Sequence, residues 1–141
     1  MYIERSIDIA APPERVWAVF SDIERWHEWT ASVTSVTRLD EGPLRVGSQA
    51  RVLQPKIRPA IFEVTELNPG RSFKWQTSNG GIAAVANHVV EQAPGGTRVT
   101  ISLDFRGFPL LFFGWWVRWL TNKYFTLETE GLKRRSEAAA G

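Results

Sequence analysis

Residues 97–131 read TRVTISLDFRGFPLLFFGWWVRWLTNKYFTLETEG, and a change of period inside this stretch decides the fold. From Thr97 to Arg106 the apolar Val99, Ile101, Leu103 and Phe105 alternate with Thr100, Ser102, Asp104 and Arg106. That is a strand with one packed face and one wet face. After Gly107 and Pro109 the spacing lengthens, and Phe113, Val117, Leu120, Tyr124, Leu127 and Gly131 recur at steps of four and three. Such steps mark one face of a helix. A helix of about 28 residues is expected, about 40 Å long and able to cross a whole sheet. Lys133, Arg134 and Arg135 near its end suit the negative pole of the helix dipole.

Upstream, residues 2–9 alternate in the same way, with Ile3, Ile7 and Ile9 opposite Glu4, Ser6 and Asp8. Ala10-Ala11-Pro12-Pro13 ends that strand, and Pro13-Glu14 suits the first turn of a helix carrying Val16 and Phe20. Ser21-Asp22-Ile23-Glu24 has the form of a capping box, which predicts a second short helix bearing Trp26 and Trp29. Between Val33 and Arg106 the turn residues Glu41-Gly42-Pro43, Pro55 to Pro59, Asn68-Pro69-Gly70, Asn79-Gly80-Gly81 and Pro94-Gly95-Gly96 separate six strands. Their expected spans are 32–40, 48–54, 59–68, 71–78, 81–92 and 97–106, and the 59–68 strand shows no clean phase. The expectation is therefore one α+β domain over residues 1–141, with a seven-stranded antiparallel sheet, two short helices after the first strand and one long C-terminal helix.

Composition narrows the function classes. With 43% hydrophobic and 23% charged residues the chain suits an ordinary globular domain with a real core. The absence of cysteine excludes disulfide scaffolds, thiolate metal sites and cysteine nucleophiles. A net charge of +2 is too weak a field to make nucleic acid the main partner. No secretory signal is visible, so a cytoplasmic location is expected. The most apolar run, Gly107 to Val117, has 11 residues, about half of the ~20 needed to cross a bilayer. Ala138-Ala139-Ala140-Gly141 reads as a frayed tail. Seven Trp and eight Phe against two Tyr, with Trp115, Trp116 and Trp119 nearly adjacent, suggest that something apolar is being covered.

The order of a strand, Ala11-Pro12-Pro13-Glu14-Arg15-Val16-Trp17, Ile23-Glu24-Arg25-Trp26-His27-Glu28-Trp29, a six-strand meander, Gly95-Gly96-Thr97-Arg98-Val99-Thr100 and a long C-terminal helix resembles the START-like (SRPBCC) superfamily. Within it the chain is most similar to the polyketide cyclase/dehydrase and lipid-transport type. The resemblance covers nearly the whole chain and rests on scaffold positions. It departs from the family pattern at His27, where proline is common, and at Pro12, where Ser or Thr often caps the helix. It implies a helix-grip fold, in which a curved sheet wraps the long helix and leaves a cavity between them for an apolar ligand.

On the 81–92 strand Ile82, Ala84, Ala86, His88 and Val90 share one face. If it turns inward, two alanines opposite a helix rich in large aromatics leave unfilled volume. The expected lining is Trp75, His88, Val90, Leu103 and Phe105 from the sheet, with Phe112, Trp116, Leu120 and Tyr124 from the helix. His88 and Tyr124 are the candidate acid/base groups, each with a structural role as the commoner alternative. His27 and His88 lie too far apart in sequence, with no carboxylate motif near them, to suggest a metal. Glu63 and Asp104 would form a carboxylate pair only if their strands were neighbours, while Arg51, Lys56, Arg58 and Lys74 read as a solvated face. No nucleophile elbow, phosphate loop or cofactor motif is present, and no cofactor is expected.

Three functions compete at this point: a module that binds or transports a small hydrophobic molecule, a polyketide aromatase/cyclase or dehydratase using the same cavity, and a module whose 107–120 segment contacts a membrane surface or a protein. Gly107 and Pro109 bracket Phe108, and Gly114 precedes Trp115 and Trp116. Residues 107–116 are therefore expected to form a mobile lid, with Phe112 and Trp116 facing a ligand and Trp115 nearer solvent.

Overall fold

The computed structural model describes residues 1–140, the last two by backbone alone. Strand β1 (Tyr2–Ile9) leads into α1 (Pro13–Ser21) and a 3₁₀ segment (Ile23–Glu28). There follow β2 (Ser35–Arg38), β3 (Gln49–Leu53), β4 (Ala60–Asn68), β5 (Ser72–Asn79), β6 (Ile82–Ala93), β7 (Gly96–Arg106) and α2 (Leu110–Ala140). The seven strands form one sheet in the order β1-β7-β6-β5-β4-β3-β2. All neighbours are antiparallel, and β1 closes against β7 because α1 and the 3₁₀ segment carry the chain across the sheet to β2. This is the expected helix-grip architecture. With 31 residues, α2 is about 46 Å long and packs against β1, β7 and α1.

The core lies between the inward sheet face and the helices. Phe20, Phe73, Val16, Val99, Ile101 and Leu132 are shut off from solvent. Pro13 occupies the start of α1 as the sequence implies, with Glu14 in the first turn. At the β7–α2 corner Gly107 has φ +144°, and a Cβ there would fall 2.1 Å from the Gly81 carbonyl oxygen. The Pro109 ring also reaches within 3.4 Å of where a Gly81 Cβ would stand, so the start of α2 is clamped to the β5–β6 turn.

Several sequence expectations need correction. The capping box does not form: Ser21 ends α1 and its hydroxyl donates to the Trp17 carbonyl, while Glu24 accepts from the Arg38 backbone N–H. The missing phase in β4 has a cause, a register shift between Val64 and Glu66 that breaks the alternation. Leu120, Tyr124 and Gly131 are buried on α2 as expected, but Phe113 is exposed. The buried face runs instead through Leu120, Thr121, Tyr124, Phe125, Thr129, Leu132 and Ser136, because the first turns of α2 have nothing packed over them. The expected frayed end is helical through Ala140, and Gly141 lies outside the described residues.

Candidate functional site

Register stacks the inward side chains in rows across the sheet. Ile3, Leu103, Ala86, Trp75 and Val64 are successive partners from β1 to β4, and Arg5, Ile101, His88, Phe73 and Leu67 form the next row. Phe105, Ala84 and Thr77 form a row closer to the β7–α2 corner. Phe20 of α1 and Trp26 of the 3₁₀ segment cover the His88 row, with ring centroids 5.2 and 5.7 Å from the imidazole. Toward the corner the cover thins. Ala84 and Ala86 present only methyl groups there, and Leu103, Phe105 and Thr77 stay partly exposed.

His88 is buried, stacked on Phe73 at 4.0 Å, with Nδ1 3.1 Å from the Phe73 carbonyl oxygen. Burial lowers its pKa to about 4, partly opposed by that hydrogen bond, so the ring is neutral at physiological pH. Trp75 is likewise part of the packed core, against Trp26 at 5.4 Å and Phe62 at 4.9 Å, and Val90 is buried with them. Leu120 and Tyr124 face inward from α2. The Tyr124 hydroxyl donates to the Pro55 carbonyl, which ties α2 to the β3–β4 loop, and burial raises its pKa. Trp116 is half-buried. Phe112, expected to face inward, stands in solvent at 62% exposure against Phe108, because no element lies opposite that turn of the helix.

Two polar residues missing from the sequence reading border this interior, Glu128 partly buried and Arg5 with its side chain 40% exposed. Glu128 lies one turn from Tyr124 and one turn from the fully buried Leu132, hence on the inward face of α2. Its Oε1 is closed off from solvent without a hydrogen-bond partner among the described residues. Burial pushes its pKa up to about 7, so near neutral pH it can carry a proton or release one. Arg5 stands on the inward parity of β1, with Nε donating to Thr129 Oγ1 at 2.9 Å and a guanidinium nitrogen 4.0 Å from Glu130. The Trp29 indole Nε1 is also buried and unpartnered among the described residues, and Trp29 packs on Gly131, three residues beyond Glu128. The signals were present: Glu128 follows Tyr124 by four, and Arg5 shares the phase of Ile3 and Ile7. The chosen stripe, which steps from Tyr124 to Leu127, passed Glu128 by.

Other candidates are not brought together. Glu63 and Asp104 sit on β4 and β7, three strand steps and about 14 Å apart. Glu63 accepts from Gln49 instead, and Asp104 pairs with Arg106. His27 is exposed, and no metal-binding cluster occurs among the described residues. Arg51, Lys56 and Arg58 are exposed, and Lys74 lies 3.8 Å from Glu66. Two surface grooves of about 360 and 410 Å³ lie elsewhere, one between Trp17, Asp22 and Arg38, the other around His27 and Arg135. The first is lined largely by apolar side chains, Trp17, Ile23, Leu44 and Leu67 among them, with Asp22, Glu24 and Arg38 at its edge, and the second is open and edged by the paired Arg135 and Glu28.

Comparison with known proteins agrees with this architecture. Residues 2–137 match the family profile described as polyketide cyclase / dehydrase and lipid transport. Among curated protein sequences none matches significantly. Solved structures do. The protein TTHA0849 from Thermus thermophilus superposes with a TM-score of 0.82 at 19% identity over 100% of both chains. A START superfamily protein from Mycobacterium smegmatis gives 0.79 at 17% identity over 98% of each. The di-domain ARO/CYC StfQ from the steffimycin biosynthetic pathway gives 0.80 at 12% identity, covering 99% of this chain and 51% of that one. At these identities the structural likeness establishes the fold.

Proposed function

We propose, from the premise that this chain belongs to the polyketide cyclase / dehydrase and lipid transport family, that it binds a small, largely apolar molecule carrying one hydrogen-bonding group. The molecule lies between α2 and the part of the sheet around Ala84 and Ala86, lined by Leu103, Phe105, Trp116, Leu120 and Tyr124. Trp75, His88 and Val90 back the floor. The observation that carries this reading is Glu128, one turn from Tyr124, whose Oε1 is closed off from solvent without a hydrogen-bond partner among the described residues. A buried polar atom left without a partner costs about 1–3 kcal/mol, which a ligand hydroxyl or carbonyl would recover. Binding is favoured over chemistry because His88 is neutral and bonded to Phe73, and Tyr124 is committed to Pro55.

A second reading has its own support. A carboxyl with a pKa of about 7 suits general acid/base work at neutral pH, so a cyclase or dehydratase would use Glu128 as proton carrier. Native mass spectrometry of the purified protein tests binding, together with titration of an apolar fluorescent probe into wild type and Ala84→Trp. The expected result is a bound small molecule or saturable probe, displaced by Ala84→Trp in a protein that still folds. Probe binding that ignores Ala84→Trp, with no co-purifying molecule, would sink the proposal. For the enzyme reading, turnover of a candidate polyketide must vanish in Glu128→Gln while binding persists.

A further inference from the structure

We propose that the β7–α2 corner docks on an anionic lipid surface. Phe108, Leu111, Phe112, Phe113, Trp115 and Trp119 are each between 52% and 77% exposed. At about 200 Å² per large side chain the five on one side of the helix, without Phe113, expose on the order of 650 Å², above the few hundred Å² of the largest patch on a typical monomer. Leu111, Trp115 and Trp119 recur every four residues, with Phe108 and Phe112 beside them, so they form one stripe on the side of α2 away from its buried face. The stripe ends at Trp119, since the positions that would continue it are Asn122, Lys123 and Thr126. It is a tip of about 15 Å at one end of the molecule.

Charge selects the occupant. The sequence holds no Asp or Glu from 105 to 127 or from 42 to 62. Arg106, Arg118 and Lys123 belong to the first span, Lys56 and Arg58 to the second. The Tyr124–Pro55 hydrogen bond brings the β3–β4 loop to α2, and Lys56 and Lys123 each stand 5.6 Å from the Trp119 ring centroid. Aromatic side chains ringed by lysine and arginine match the boundary of a bilayer, where the rings reach the acyl region and the cations meet lipid phosphates. A second copy fits worse, because a two-fold contact would set like charges face to face. No helix among the described residues is long and apolar enough to cross the membrane, so the contact is one of lying on the surface. It does not depend on what the interior binds.

Flotation of the full chain with phosphatidylcholine vesicles, with and without about 30 mol% phosphatidylglycerol, tests this. Wild type should float with the anionic vesicles and shift its tryptophan emission to the blue, and high salt should weaken the association. Trp115→Ser should reduce partitioning at least tenfold, and Arg118→Glu by more than the about fivefold expected for one lost cation. Both residues are exposed, so circular dichroism should remain unchanged. Three outcomes overturn the proposal: no flotation with either vesicle, equal flotation with neutral and anionic vesicles, or a dimer in solution that Trp115→Ser dissociates.

Discussion

Gly131→Ala sets two physical effects against each other on α2. Helix propensity alone favours alanine by about 1 kcal/mol. At this position, however, a Cβ would fall 1.9 Å from the Trp29 carbonyl oxygen and 3.3 Å from Cε3 of its ring. An ordinary carbon–oxygen contact is about 3.2 Å, so helix and 3₁₀ segment must separate by more than about 1 Å. The obstacle is backbone. Trp29 N–H donates to the Trp26 carbonyl at 3.1 Å, its ring packs 6.3 Å from Phe20, and Arg135 and Glu28 hold the same seam at 2.6 Å. Overpacking of this kind costs about 3 kcal/mol, leaving about 2 kcal/mol net destabilisation after the gain in propensity. For 141 residues that is a fall in Tm of about 6–8 °C. Gly114→Ala is the control on the same helix: nothing lies within 4 Å of its Cβ position, so it should gain up to about 1 kcal/mol. Urea unfolding followed by circular dichroism measures both. If Gly131→Ala is as stable as wild type, or gains as much as Gly114→Ala, the close seam between α2 and Trp29 is refuted.

Glu128 holds a proton in the folded state up to pH about 7, whereas its unfolded value is 4.5. Between these limits the folded state binds more protons, so this group lowers stability as pH rises, by at most about 3 kcal/mol. The stability difference between Glu128→Gln and wild type should therefore widen from pH 4.5 to 7 and then level off; a difference independent of pH in unfolding titrations would refute the assignment. His88 acts in the opposite sense, because its pKa is about 4 folded and 6.5 unfolded, so its contribution is lost as pH falls through that window. His88→Ala should remove that slope and cost about 3 kcal/mol at neutral pH through the vacated space beside Phe73. A variant as stable as wild type would show that the ring is not a packing element. In hydrogen exchange, amides 111–118 should exchange faster than 121–133, since only the latter stretch is packed against the sheet and α1. Equal protection would exclude a loosened first part of α2.

Much of the fold was legible because its signals are local. The alternation in 97–106 and the shift to helical spacing after Pro109 are consequences of backbone geometry, and both elements stand where those patterns put them. Turn residues located the remaining strands to within a few residues, and β4 resisted because the register shift at Val64–Glu66 breaks the alternation such reading depends on. Only tertiary structure decided which side of α2 is inside. Phe113 continues the apolar stripe in sequence yet lies in solvent, while Glu128, a charged residue by type, is partly buried and turns one carboxyl oxygen away from solvent. Periodicity states that a face exists, but burial depends on what lies opposite. The first turns of α2 leave Leu111, Phe112, Phe113 and Trp115 in solvent, whereas from Leu120 onward the helix carries its buried side chains. The same reason separates His88 from an exposed histidine: its lowered pKa comes from Phe20, Trp26 and Phe73 closing around it from three elements distant in sequence. Desolvation is set by surroundings that the fold brings together, so no local pattern reports it.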